Sequence, residues 1–147
     1  MNTIRIQKED FDISAEIAAL KTSCGGAGAI VTFTGIVRHD DGVTAITLEH
    51  YPGMTEHEIA RHAEEAQLRW PICGATIIHR IGALKPGDNI VLVATASSHR
   101  QTAFEAAQFL MDYLKTRAPF WKQETRGDET RWVDAKPSDD AAADRWR

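Results

Sequence analysis

Ser98-His99-Arg100 stands where a strand-like run, Asn89 to Ser97, gives way to a helical one. A helix N-terminus carries partial positive charge, so cations in its first turn cost stability. An imidazole and a guanidinium beside the unpaired backbone N–H groups of that turn would make a strong anion site. For this pair alone, two side chains splayed into solvent is an equally good reading. The same helical run carries Lys115 near its end, then Arg117 and, past Pro119, Lys122. A cation in the last turn suits the helix dipole, which accounts for Lys115 without any function, and Arg117 reads as solvated. Lys122 lies between Trp121 and Gln123, where desolvation beside packed rings would suit an ammonium to acid–base work. A solvated strand lysine is the plainer alternative. Arg38 follows the apolar run Thr32 to Val37 at a turn, where Gly35 would let a ligand approach closely. Otherwise Arg38 is an ordinary turn arginine.

Other motifs lead less far. His57-Glu58-Ile59-Ala60-Arg61 has arginine where HExxH needs its second histidine, and His57 and His62 do not share a helical face. The run Gly25-Gly26-Ala27-Gly28 lacks the Gly-Lys-Ser/Thr of a phosphate loop and reads as a mobile break. His50 and His79 fall in strand-like runs and read as structural; Glu49 reads as inward-facing with no assignable role. Cys24 and Cys73 form no CxxC, which excludes a zinc knuckle or a thioredoxin motif. Both are expected to be reduced thiols, with Cys73 in the core.

The elements that must position these residues follow from periodicity. Ile4 and Ile6 alternate with polar neighbours as in a half-buried strand. Ser14 is expected to cap a short helix through Ile17, Ala18 and Leu20. Ala29 to Val37 reads as a central strand, and Asp41-Gly42 suggests a hairpin into Val43 to Tyr51. Thr55 and Glu58 form a capping-box pattern before a helix with Ile59, Ala63, Ala66 and Trp70 on one face. Strands Ala75 to Ile81 and Asn89 to Ser97 flank a turn at Lys85 to Asp88. Ser98 is expected to cap the strongest helix, with Ala103, Ala107, Leu110, Met111 and Leu114 at helical spacing, ended by Pro119. Phe120 to Glu124 reads as extended, and Gly127-Asp128 turns into a strand around Trp132. Ser138 is expected to cap a short C-terminal helix with Asp139 and Asp140 in its first turn. Hairpins mixed with helical crossovers favour an α+β fold with a mixed, mostly antiparallel sheet and packed helices.

The 147 residues suit a single domain spanning 1–147. With 43% hydrophobic and 26% charged residues, pervasive disorder is excluded. Lys plus Arg less Asp plus Glu is 17 − 21 = −4, so there is no general attraction for nucleic acid or anionic membranes, and any anion site must be a local cluster. No stretch reads as a signal or bilayer-spanning segment, which makes a cytoplasmic protein the expectation.

Five segments carry a more specific signal: Phe33-Thr34-Gly35-Ile36-Val37-Arg38, Leu48-Glu49-His50-Tyr51-Pro52-Gly53-Met54, Ile78-His79-Arg80-Ile81-Gly82, Ser98-His99-Arg100, and the run from Met111 to Ala118-Pro119-Phe120-Trp121-Lys122. In order and spacing they resemble the MoaE family, the large catalytic subunits of molybdopterin synthase, from about Ala29 to Trp146; Met1 to Gly28 resembles it least. The resemblance implies an α/β-hammerhead fold and a homodimer. It also implies a heterotetramer with two small ubiquitin-like carriers, whose C-terminal Gly-Gly thiocarboxylate enters the active site. The implied reaction inserts two sulfurs into cyclic pyranopterin monophosphate (precursor Z), giving the molybdopterin dithiolene. No metal or cofactor is expected. Carried over position by position, Ile36, Val37 and Arg38 form one substrate-binding stretch and His99 with Arg100 another. Lys115 is the principal catalytic group, Lys122 assists it, and both also contact substrate, with Gln123 and Glu124 completing the segment. A non-catalytic phosphate- or nucleotide-binding module would need Arg38, His99 and Arg100 but not the two lysines. A purely structural oligomerisation domain would need none of the five.

Overall fold

A computed structural model describes residues 2–39, 42–133 and 137–146, without the side chains of 137–139; the Asp40-Asp41 turn and the Ser138 cap with Asp139 lie outside the described part. In chain order the elements are β1 (Asn2–Gln7), α1 (Ile13–Ser23), β2 (Ala29–Ile36), β3 (Ala45–His50), α2 (Met54–Arg69) and β4 (Ile72–Arg80). There follow β5 (Gly82–Leu84), β6 (Asn89–Ser97), α3 (Arg100–Thr116), β7 (Phe120–Arg126), β8 (Glu129–Val133) and α4 (Pro137–Asp144). The strands form two four-stranded sheets, β1-β4-β6-β2 and β5-β3-β7-β8. Among the described residues only β1 and β4 run parallel, and the other pairs are antiparallel. This is the α+β class expected from the sequence.

The first sheet is covered on both faces, which is why β4 and β6 read as near-continuous apolar runs. Alternation along β6 sends Val91 and Val93 into a core with Ile59, Ala63 and Ala66 of α2 and Ala106, Ala107 and Leu110 of α3. Ala94 and Ala96 point the other way, against Leu20 and Cys24 at the end of α1. The second sheet packs through Ile46, Leu48 and Leu84 onto Val37, the residue just past β2.

Several local expectations fail, each for a physical reason. β2 is an edge strand and not a central one, since β6 alone pairs with it among the described residues, and β2 and β3 do not form a hairpin. The Val37 N–H donates to Asp88 O (2.9 Å) and the Gly87 N–H to Val37 O (2.8 Å), so the chain leaving β2 is stitched to the 85–88 turn. β3 then pairs with β5 and β7 in the other sheet. The cap of α1 is Asp12, whose carboxylate accepts from the Ala15 N–H at 3.1 Å, not Ser14. α2 starts after Gly53 at φ 83, and Glu56 rather than Glu58 accepts the Gly53 N–H; Thr55 is buried and bonds back to Tyr51. The cap of α3 is His99, through its backbone, not Ser98. Glu49 is exposed, because it shares the outer face of the second sheet with Trp121. At Gly35 a β-carbon would lie 2.7 Å from Val91 Cγ1, so that glycine admits a neighbouring strand's side chain and not a ligand. The cysteines are not free thiols: Cys24 and Cys73 are bonded, with Cα atoms 5.8 Å apart. Nor is Cys73 a core residue. A register shift between Ile72 and Gly74 makes it the extra residue of a bulge, and it is exposed.

Candidate active site

The helix α3 separates the basic residues into two groups. His99 and Arg100 stand at its start and Lys115 in its last turn. A rise of 1.5 Å per residue puts these ends roughly 24 Å apart, so one chain cannot bring them to a single small ligand.

The C-terminal group is assembled at the seam between the two sheets. α3 runs back along β6, which delivers Lys115 to the end of the first sheet where β4 finishes in His79-Arg80. There His79 is 8% exposed, and Phe120, the first residue of β7, stacks on it at a centroid distance of 3.8 Å and 19°. Its Nδ1 donates to Arg80 O at 2.8 Å, so in the neutral ring the lone pair is on Nε2. Burial, then the charges of Lys115 and His50, push its pKa down to about 4, against a smaller opposing effect of the Arg80 bond. Arg80 braces the strand end with bonds to Lys8 O and Asn89 O.

The His79–Phe120 stack fixes which way β7 faces. Residues 120, 122 and 124 share one face and 121 and 123 the other. Lys122 lies opposite Leu48 and Glu124 opposite Ile46, both buried, so the lysine stem rises from the inner face of the second sheet with its ammonium 3.7 Å from Glu124. Glu124 also pairs with Arg126 at 3.3 Å. Gln123 lies on the outer face opposite Trp132, away from Lys122. Arg38 is exposed at the same end of the first sheet, since β2 pairs with β6 in a register that ends at Ile36 and Asn89. Ile36 is 53% exposed, while Val37 is 3% exposed with both backbone groups engaged, so Val37 anchors Arg38 and offers a ligand little.

The N-terminal group lines a shallow pocket of about 480 Å³ formed by Gly28, Ala29, Ser98, His99, Arg100 and Gln101. His99 makes no side-chain cap bond and α3 has no acid in its first turn, so the positive end of the helix and two basic side chains face the same opening. Gly28 closes one wall: its N–H donates to Ser97 O at 2.9 Å, and a β-carbon there would collide with Ser98 O.

The family model described as MoaE protein matches residues 6–117. The chain belongs to the MoaE family. A molybdopterin synthase catalytic subunit from Mesorhizobium japonicum is 59% identical, the alignment covering 99% of this chain and 93% of that one. The corresponding Escherichia coli subunit is 60% identical over 81% of each chain. Among solved structures, a MoaE protein from Burkholderia ambifaria superposes with a TM-score of 0.87 at 56% identity, covering 99% of this chain and 98% of that one. A molybdopterin synthase from Staphylococcus aureus gives 0.78 at 32%, covering 87% and 94%. The MoaE match begins at residue 6 and so takes in α1 and the last two residues of β1, although this part of the sequence carried the weakest resemblance.

His79 is the buried, hydrogen-bonded structural histidine that the sequence suggested, and its stack on Phe120, which no local signal announced, ties β4 to β7. The cysteine pair, 49 residues apart in sequence, had no local signal at all.

Proposed function

We propose that this MoaE chain is the catalytic subunit of a molybdopterin synthase, a sulfurtransferase that moves two sulfurs from the C-terminal thiocarboxylate of a small carrier protein to cyclic pyranopterin monophosphate. The observation that supports the reading is that the His79 ring feels the charge of Lys115 on α3 while stacking on Phe120, two residues before Lys122 on β7. Lys115 polarises the thiocarboxylate carbonyl or moves a proton as sulfur attacks the pterin side chain, and Lys122, steadied by Glu124, binds charge beside it. Arg38, His99 and Arg100 hold the cyclic phosphate through charge-assisted hydrogen bonds.

Because His99 and Arg100 lie at the far end of α3, a working pocket takes them from a second copy of the chain. Self-association is supported by Phe33 and Ile36, exposed on the edge strand β2, and by exposed Phe104 on α3. The carrier docks over the second sheet, where Trp121 and Trp132 expose an apolar outer face around Gln123. The Helicobacter pylori neighbour, a complex of subunits 1 and 2 of molybdopterin-converting factor, has the same fold at 20% identity. No helix among the described residues is long and apolar enough to cross a membrane, and a cytoplasmic setting is part of this proposal.

A single-turnover assay tests it: this chain, thiocarboxylated carrier and the pterin substrate, wild type against Lys115→Ala. Product from wild type, lost in a folded variant that still binds carrier, is the expected result. Substrate bound but never converted by wild type would reduce the chain to a phosphate-binding module. Undiminished product from the variant would transfer the principal role to Lys122.

A further inference from the structure

The Cys24–Cys73 bond joins two segments that meet at one place. Cys24, 2% exposed, ends α1 and starts the loop whose last residue, Gly28, bonds to Ser97 O. Within that loop only the Ala27 N–H to Cys24 O bond (3.0 Å) is local, and a β-carbon at Gly25 or Gly26 would touch nothing within 4 Å. The loop is therefore held by its two ends. Cys73 occupies the bulge of β4 where the register passes from Ile72–Ser97 to Gly74–Ala96. Pro71, two residues earlier, accepts the Ser97 hydroxyl at 3.2 Å. Ser97 in turn bonds Thr102 Oγ1 at 2.5 Å and receives the His99 N–H at 3.5 Å. Both arms of the bond thus end on Ser97-Ser98, immediately before His99 and Arg100.

We propose that the Cys24–Cys73 bond is a redox clamp on the His99–Arg100 anion pocket. Oxidised, it fixes the Gly28 wall and the β4 bulge that hold Ser97 and Ser98; reduced, both segments loosen and the pocket holds the substrate's phosphate less well. The inference rests on reading His99 and Arg100 as the phosphate-holding half of the site. The chemistry is thiol–disulfide exchange with a dithiol reductant. One thiolate of the reductant attacks Sγ of Cys73, the exposed partner, and the sulfur of Cys24 leaves with the bonding pair and takes a proton. The second thiol of the reductant then displaces Cys73 from the mixed disulfide. Two electrons and two protons pass to the cysteines and the reductant becomes a cyclic disulfide. Disulfides in reducing compartments are commonly redox-sensing, which fits a bond with one accessible end beside a binding site.

The test uses the full chain with its carrier, prepared without reductant, then treated with dithiothreitol, alongside the Cys24→Ser/Cys73→Ser double variant. Thiol titration of this chain in denaturant, before the thiocarboxylated carrier is added, is expected to find none before reduction and two after. Hydrogen exchange read by mass spectrometry is expected to speed up in peptides covering 24–28 and 97–102 on reduction, with peptides of β7 unchanged. In steady state the KM for the pterin is expected to rise roughly tenfold with kcat unchanged, the loss of about one charge-assisted contact. The double variant is expected to show the raised KM and no response to dithiothreitol. Free thiols in the unreduced protein, equal exchange in the two forms, or acceleration throughout the chain would each overturn the clamp. Faster local exchange with unchanged KM would overturn its effect on the pocket. If Arg100→Ala leaves the oxidised KM unchanged, the phosphate-holding reading itself fails, and the exchange data separate that failure from a failure of the clamp.

Discussion

The two ends of α3 are organised by opposite means. At its start, backbone groups and small side chains do the positioning: Ser97, Thr102 and Gly28 hold the turn, while His99 and Arg100 are left exposed against a helix dipole that disfavours them. At its finish, packed rings do it: His79 on Phe120 locks β4 to β7, and Lys115 sits where the dipole favours a cation. The first end carries exposed positive charge at a cost in helix stability. The second is braced by the His79–Phe120 stack, with Lys115 close enough for its charge to act on His79. On the proposed function, the lysines need precise mutual placement whereas an anion pocket tolerates looser walls.

The sharpest way to break this comparison is complementation between copies. Lys115→Ala and Arg100→Ala chains, each expected to lose at least about 100-fold in turnover or its equivalent in kcat/KM, are mixed after separate purification and reassembled. If each site draws one half from each copy, random pairing restores roughly a quarter of wild-type activity, because half the dimers are mixed and each has one intact site. No recovery would mean that both halves act within one chain or that they never meet.

A second prediction concerns the seam alone. His79 is held well below its ordinary pKa in the folded chain, so between about pH 6.5 and pH 4 the unfolded chain binds the extra proton. Stability is complete above that window and falls as the pH drops through it, by up to about 3 kcal/mol. Urea titrations across the range measure the loss, and His79→Phe is expected to flatten it. An equally steep acid loss in the variant would locate the effect elsewhere, most plainly outside the seam.

The smallest effect lies on the back of the same helix. Tyr113 stacks on His62 at 3.5 Å, and its hydroxyl is buried without a hydrogen-bond partner among the described residues. Burial, then the nearby Glu58 charge, push its pKa up to about 12, so it stays neutral throughout the working range. Tyr113→Phe is expected to gain about 1 kcal/mol in thermal or urea unfolding and to leave turnover alone. A loss of activity would extend the site around the helix and spoil the contrast between its ends.

Much of this arrangement was legible beforehand. The helical face Ile59-Ala63-Ala66, the strand Asn89 to Ser97 and the long helix through Leu110 and Leu114 all lie where periodicity put them, because burying one face selects residues every three or four positions. The basic set, too, stood out by type and place. What failed was pairing and capping. Asp41-Gly42 invites a hairpin, but Val37 is claimed by Asp88 and Gly87, and long-range bonds overrode the local turn. Ser14, Thr55 and Ser98 are good caps by type, yet Asp12, Gly53 and His99 occupy those positions, since the start of a helix depends on where the preceding strand or turn delivers the chain.

The sequence by itself determined which elements form, the MoaE resemblance and the identity of the cations, because these depend on residue type and short spacing. Only the tertiary structure decided that His79 lies near Lys115 and stacks on Phe120 at the start of the Lys122 strand, that His99 and Arg100 stand at the other end of α3, and that Cys24 reaches Cys73. A helix converts neighbours in a motif into opposite ends of a rod, and sheets bring residues dozens of positions apart into register. Neither distance exists until the chain has folded.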